Sequence, residues 1–153
     1  SVLAFNPPHF SQGDPRWKNI ILGFGPSTIG QAGCLMTSVT SLVNGNGIKV
    51  NGALPNPATM NSWLKANGGF QGDLFVWGSI SKLGFKFLGK ITDKGTMVND
   101  IKAGKFVILN VNAGHHYVLA TSAGNGGFNV MDPGYAKTFY TNKEIVSASI
   151  YSR

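Results

Sequence analysis

The chain has 153 residues, with 13 Lys+Arg against 6 Asp+Glu, three His and a single Cys, for a formal net charge of +7. That length suits one domain over 1–153 with a substantial hydrophobic core, and one cysteine excludes both an intrachain disulfide framework and a multi-thiolate metal cluster. No apolar run approaches the ~20 residues that span a bilayer. The basic residues are scattered with no dense run of the nucleic-acid kind, which reads as a diffuse basic surface, a surface tuned to a polyanion such as an acidic cell-wall polymer being the alternative.

Residues 1–5 lack a basic n-region and a long apolar core, so no signal peptide is read there. Because the chain does not begin with Met, a processed form or an excised domain is expected. The stretch through Pro26 is rich in Pro and Gly and reads as an extended, irregular lead-in. A first helix is predicted over 34–43, where Leu35, Val39 and Leu42 recur at near-helical spacing and Asn44-Gly45 supplies the stop. A second is predicted over 56–66, with Pro57 in its first turn and Met60, Trp63 and Leu64 forming an apolar stripe. Shorter helices are predicted near 76–83 and 96–103. Lys82, Lys86, Lys90 and Lys94 have helical spacing, but Gly84, Gly89 and the alternation at 85–87 argue against one continuous helix. The second half reads as strands at 105–112, 116–123, 128–131, 138–140 and 147–151, with turns at 124–127 and 132–135. Helices first and an antiparallel sheet after them make an α+β arrangement.

Three places can carry chemistry. Cys34 opens the first helix after Gly33, where the partial positive charge of a helix N-terminus stabilises a thiolate; the alternative is an inert, buried small hydrophobe. His115-His116 begins a strand that can aim an imidazole across a cleft as a general base, or is a polar pair at a hairpin tip. Asp132 ends the next strand. If the registers match, it comes within reach of His116; alternatively it only makes an Asx turn before Pro133. With His9 the only other histidine, a His-rich metal site has no supporting spacing.

The order Cys, His, Asp on a helix start and two adjacent strands resembles the papain-like cysteine peptidases. More specifically, Phe10-Ser11-Gln12-Gly13-Asp14-Pro15-Arg16-Trp17, then Leu22-Gly23, Thr28-Ile29-Gly30 and Gly33-Cys34-Leu35-Met36-Thr37-Ser38, is similar to the C39-like peptidase family. Gly114-His115-His116-Tyr117-Val118-Leu119-Ala120-Thr121 followed by Asp132-Pro133 carries the same resemblance. It implies N-terminal helices packed on a C-terminal antiparallel sheet, with Cys34 as nucleophile, His116 as base and Asp132 as the residue that orients it. His116 is preferred to His115 because the family's histidine precedes an aromatic and aliphatics, and because strand alternation sends the two to opposite faces. The oxyanion donor implied by the resemblance is Gln12, with Gln31 as the alternative, alongside the nucleophile's backbone N–H. No cofactor and no metal are implied.

The expected activity is hydrolysis of amide bonds in peptide substrates by a monomer that inserts into no membrane and binds no nucleic acid. Within the family some members process leader peptides after a double glycine, and others cut peptide cross-links of the bacterial cell wall. A compact, basic chain without membrane spans fits the second group, a secreted or phage-delivered enzyme acting on peptidoglycan stem peptides. A peptidase processing Gly-rich protein or leader substrates is the alternative, as is a non-catalytic papain-like binding or phage structural module. A glycosidase is disfavoured, because it needs two convergent carboxylates and the single Glu144 and the aspartates share no motif.

Overall fold

A computed structural model describes residues 5–153, so the reading of the extreme N-terminus lies, for its first four residues, outside the described part. The lead-in ends in a single helical turn, α1 (Ile29–Ala32), closed by a reciprocal Thr28–Gln31 capping box. Helix α2 (Cys34–Gly45) begins two residues later. Every residue from Met36 to Val43 is buried, so α2 is a central helix without a wet face rather than the one-sided stripe its leucines suggested. Its polar positions are small. Thr40 Oγ1 donates to the Met36 carbonyl at 2.8 Å, satisfying a hydroxyl that could not otherwise be buried cheaply. Helix α3 (Pro57–Ala66) packs on α2, opened by Pro57 as the sequence predicts, with Asn56 as its cap.

A short hairpin, β1 (Phe70–Gln71) and β2 (Leu74–Phe75), precedes the short helix expected near 76–83, which is a 3₁₀ segment at Trp77–Leu83. Then come β3 (Lys86–Ile91), α4 (Lys94–Lys102), β4 (Phe106–Val111), β5 (His116–Gly124), β6 (Gly127–Met131), β7 (Phe139–Thr141) and β8 (Ser147–Ser152). The last six strands form one antiparallel sheet in the order β3-β8-β4-β5-β6-β7. The α+β reading therefore stands, with one correction to its order. An edge strand, β3, precedes the last helix, and its glycine-interrupted sequence hid it from a periodicity test. A bulge between Phe87 and Gly89 shifts its register against β8. Lys86 and Lys90 consequently project to opposite faces, and the four lysines of helical spacing form no single stripe.

Alternation along the strands builds a core on each face. Phe106, Ile108, Leu119, Met131 and Tyr151 pack under α2 and α3. Val107, Leu109, Val118, Val130 and Ile150 pack with Met97 of α4. Phe85 is buried, and Trp63 and Phe87 pack against the first core, as expected for aromatics that serve packing rather than base stacking. Each such buried side chain contributes roughly 1.5–3 kcal/mol.

Candidate active site

The site is assembled from four segments far apart in sequence. The first is the Ser11–Trp17 block. Trp17 is its anchor: buried, with its indole N–H donating to the Ser11 carbonyl at 2.7 Å. Asp14 accepts from the Arg16 backbone N–H at 2.9 Å and pairs with its guanidinium at 2.9 Å, so this carboxylate builds the turn. The turn holds Gln12 between two partners. Its backbone N–H donates to the Pro133 carbonyl at 2.9 Å, and its side-chain Nε2 donates to the Gly30 carbonyl at 3.1 Å. Among the described residues, neither the second proton of that amide nor its buried Oε1 has a partner, and the side chain lines the cleft. Gln31 is differently employed, its Oε1 accepting from Thr28 N in the α1 capping box.

The second segment is the start of α2. Gly33 has φ −87°, so no left-handed turn requires glycine there. The requirement is space, because a Cβ would collide with the Ile29 carbonyl and side chain. No side chain caps α2, which leaves the first-turn N–H groups beside Cys34 open to an anion. Cys34 is half-buried.

The third and fourth segments are β5 and β6. Their ladder pairs Leu119 with Met131. One step further along it, Asp132 lies across from Val118, and His116 is its diagonal neighbour on the same face. The two side chains meet, with His116 Nε2 to Asp132 Oδ1 at 2.7 Å. Asp132 also accepts from the backbone N–H of Gly134 at 2.8 Å and of Tyr135 at 3.1 Å, and from the Tyr140 hydroxyl. The two sequence readings of Asp132, Asx turn and histidine partner, are thus both true of one carboxylate. His9 Nε2 meets the Asp132 carbonyl oxygen at 2.9 Å.

Burial is the largest single influence on the His116 ring and lowers its proton affinity. The interactions with Asp132 and with the Cys34 side chain outweigh it and raise the imidazole from 6.5 to about 9. Burial likewise acts to raise the Asp132 carboxyl, but the hydrogen bonds from His116, Tyr140 and Gly134 prevail and hold it below the usual carboxylate range. Near neutral pH the pair is therefore imidazolium and carboxylate. With Nε2 occupied by Asp132, Nδ1 is the nitrogen left for the thiol.

Cys34 sits where two depressions meet. One, roughly 480 Å³, is lined by Ser11, Gln12, Gln31, His116, Gly134 and Tyr135. The other, roughly 160 Å³, is lined chiefly by Leu22, Leu35, Met36, Phe70, Phe75 and Tyr117. A further depression of roughly 460 Å³, beside Phe106 and Ala123, contains none of these groups. His115 borders both arms of the cleft, which corrects the expectation that only one of the two histidines could enter. Alternation does not reach it, because His115 closes a tight turn at Asn112–Gly114 and the strand begins after it. Asn112 and Ala113 adopt left-handed backbone there, with φ 52° and 55°. The Asn110 side chain braces the turn through the Gly114 and His116 carbonyls, each at 3.2 Å.

Of the remaining carboxylates, Asp73 borders the smaller arm of the cleft and accepts from Ser27 N, while Asp93 caps α4, Asp100 pairs with Lys105 and Glu144 with Lys137. No second acid joins Asp132. Among the described residues no group of three His, Cys, Asp or Glu is placed to hold a metal, and no helix is long and apolar enough to cross a membrane.

Solved structures resemble this arrangement. The double-glycine-motif protease of an AMS/PCAT transporter, solved in complex with its leader peptide, superposes with a TM-score of 0.62 at 11% identity, covering 97% of this chain and 92% of that one. The chain has the fold of a C39 peptidase domain. The peptidase domain of Streptococcus ComA, a bi-functional ABC transporter of a quorum-sensing pathway, gives 0.54 at 14% identity over 80% of this chain and 92% of its own. A Bacillus anthracis protein described as C39-like gives 0.50 at 17% identity over 99% and 97%. No family model and no curated protein matches by sequence. The C39 fold is thus reached at identities where packing pattern persists and sequence does not.

Sequence reasoning missed Tyr140, His9 and the Gly30 carbonyl, which hold Asp132 and Gln12 in place. For Tyr140 one signal existed, since a tyrosine in a strand core needs a partner for its hydroxyl and this chain has few acids to offer.

Proposed function

We propose that this protein is a cysteine peptidase with Cys34 as nucleophile, His116 as proton carrier and Asp132 as the residue that fixes the imidazole. The observation that supports it most is the buried His116–Asp132 pair beside the only thiol, which opens a helix inside a cleft. The Cys34 thiolate attacks the carbonyl carbon of a peptide bond, forming the S–C bond, and the carbonyl electrons pass to oxygen. The Cys34 backbone N–H and the free proton of Gln12 Nε2 receive that oxyanion. As the C–N bond breaks, imidazolium His116 gives its proton to the departing amine. Neutral His116 then takes a proton from water, whose oxygen attacks the acyl carbon, and the C–S bond breaks to release the acid and restore the thiolate.

The apolar arm favours a polypeptide substrate that seats an aliphatic or aromatic side chain beside the thiol. Because one C39-fold relative is a double-glycine-motif protease, peptides with Gly-Gly preceded by apolar residues are the first substrates to test. A second reading, cleavage of peptidoglycan stem peptides, draws on the net charge of +7 and on the polar, Gly-containing arm. Wild type and Cys34→Ala are incubated with both substrates and the products identified by mass spectrometry. Cleavage of the peptides by wild type alone supports the first substrate class, and release of wall peptides by wild type alone supports the second. Equal products from both forms sink the peptidase itself. Iodoacetamide labelling of Cys34 no faster than free cysteine would favour a non-catalytic module.

A further inference from the structure

Asp132 is only 2% exposed and carries a charge, yet its surroundings contain no lysine or arginine partner. Its Oδ1 is satisfied by His116, Gly134 N and Tyr135 N, and its Oδ2 by the Tyr140 hydroxyl at 2.5 Å. A carboxylate held only through Oδ1 can still pivot about that oxygen and tip its plane away from the ring. Tyr140 is the contact on the other oxygen. It comes from β7, the edge strand, where it pairs with Phe128 and so shares the face of Val130 and Asp132.

We propose that Tyr140 is a positioning residue, whose hydroxyl locks the Asp132 carboxylate in the plane that presents Oδ1 to His116. The inference rests on the peptidase reading for its purpose, but not for its test. A tyrosine needed only for packing could leave its hydroxyl on water or a carbonyl at the sheet edge. Here the ring is 1% exposed, and the hydroxyl ends on the one buried carboxylate of the cleft. The ring is fixed in turn from outside. Lys137 Nζ lies 4.2 Å from its centroid and is paired with Glu144 at 2.6 Å, while Glu144 Oε2 accepts from Thr141 N, the next residue along β7. A chain of contacts thus runs from a surface ion pair through Tyr140 to Asp132 and His116.

The charged and titratable groups around the pair are His116, Tyr135, Lys137 and Glu144, with His9 on the Asp132 carbonyl. Burial and the Asp132 charge both raise the Tyr140 phenol, so it stays a donor throughout the working range. Removing the donor strands Oδ2 in a dry site and raises the proton affinity of the carboxyl.

The test compares Cys34→Ala with Cys34→Ala/Tyr140→Phe by ¹³C NMR of the aspartate carboxyls, of which the chain has five. Phenylalanine keeps the ring in the core, and thermal unfolding checks that the fold is intact. The expected result is a midpoint for Asp132 about one pH unit higher in the double variant, a tenfold change in proton affinity, while the other four aspartates stay put. In the Cys34-containing pair, iodoacetamide labelling of Cys34 at pH 7 is expected to slow about threefold to tenfold. An unmoved Asp132 midpoint overturns the proposal whatever the labelling rate does. If wild-type Cys34 is unreactive, the peptidase reading fails while the carboxyl titration still decides the contact.

Discussion

Gly134 is the position at which the smallest change in sequence reaches the chemistry. A Cβ there would lie 2.8 Å from His116 Cε1, and 3.4 Å from both His116 Nε2 and Gln12 Oε1. The first distance falls about 0.6 Å (3.4 − 2.8) short of the 3.4 Å at which ordinary van der Waals contact begins, and a close-packed interior does not absorb that without movement. The backbone itself tolerates alanine, because Gly134 is not among the residues with positive φ, so the imidazole has to yield. Its displacement lengthens or tilts the 2.7 Å contact to Asp132 and turns the other nitrogen off the thiol. Misplacement of a reacting group by about 1 Å costs up to ~10²-fold in rate. Gly134→Ala is therefore expected to lower kcat/KM about 10- to 100-fold, or about 1.4–2.7 kcal/mol of transition-state stabilisation, with KM and the thermal midpoint little changed. Peptide hydrolysis in the Cys34-dependent assay, read beside thermal unfolding, measures both. Wild-type kinetics in a folded Gly134→Ala protein would show that the ring is not held where this geometry has it.

Gln12→Ala is expected to reduce kcat by about 10²–10³ with KM nearly constant, the usual cost of one oxyanion donor. Gln31→Ala loses only part of a capping box; equal losses in the two variants would contradict the assignment. The His116 proton affinity also sets a pH dependence of stability. The folded value is raised from 6.5 to about 9, so the protonated ring binds its partners best in the folded state. Its contribution is complete below pH 6.5 and is lost as pH rises through about 9. Urea midpoints of wild type and His116→Gln are expected to differ more at pH 6 than at pH 9.5, and a constant gap would refute the linkage.

Much of this site was legible before any coordinates, because the chain is so poor in reactive groups. One thiol after a glycine at a helix start and a histidine opening a strand are local patterns, and so is an aspartate before Pro-Gly. Local patterns survive in sequence. What failed was what depended on where a turn ends and a strand begins. His115 was assigned away from the cleft by strand alternation, but the strand starts one residue later, after a left-handed turn that periodicity cannot register. As Gly84 and Gly89 indicated, no one helix runs through the four lysines, and a bulge in β3 sets Lys86 and Lys90 on opposite faces. Tyr140 escaped notice because its partner lies across a strand pairing, and spacing along the chain does not encode which tyrosine hydroxyl reaches which carboxylate.

The sequence by itself determined the inventory: one thiol, a histidine opening a strand, an aspartate before Pro-Gly, and the helix and strand that present the first two. The tertiary structure decided the juxtapositions. Gln12 meets the cleft only because its N–H bonds to the Pro133 carbonyl, more than a hundred residues away. His116 meets Asp132 only because of where the β5–β6 ladder ends. The reason is physical. Which residues prefer a helix or a strand follows from neighbours along the chain, whereas a 2.7 Å contact depends on a register and a packing that the whole sheet and both its cores fix together.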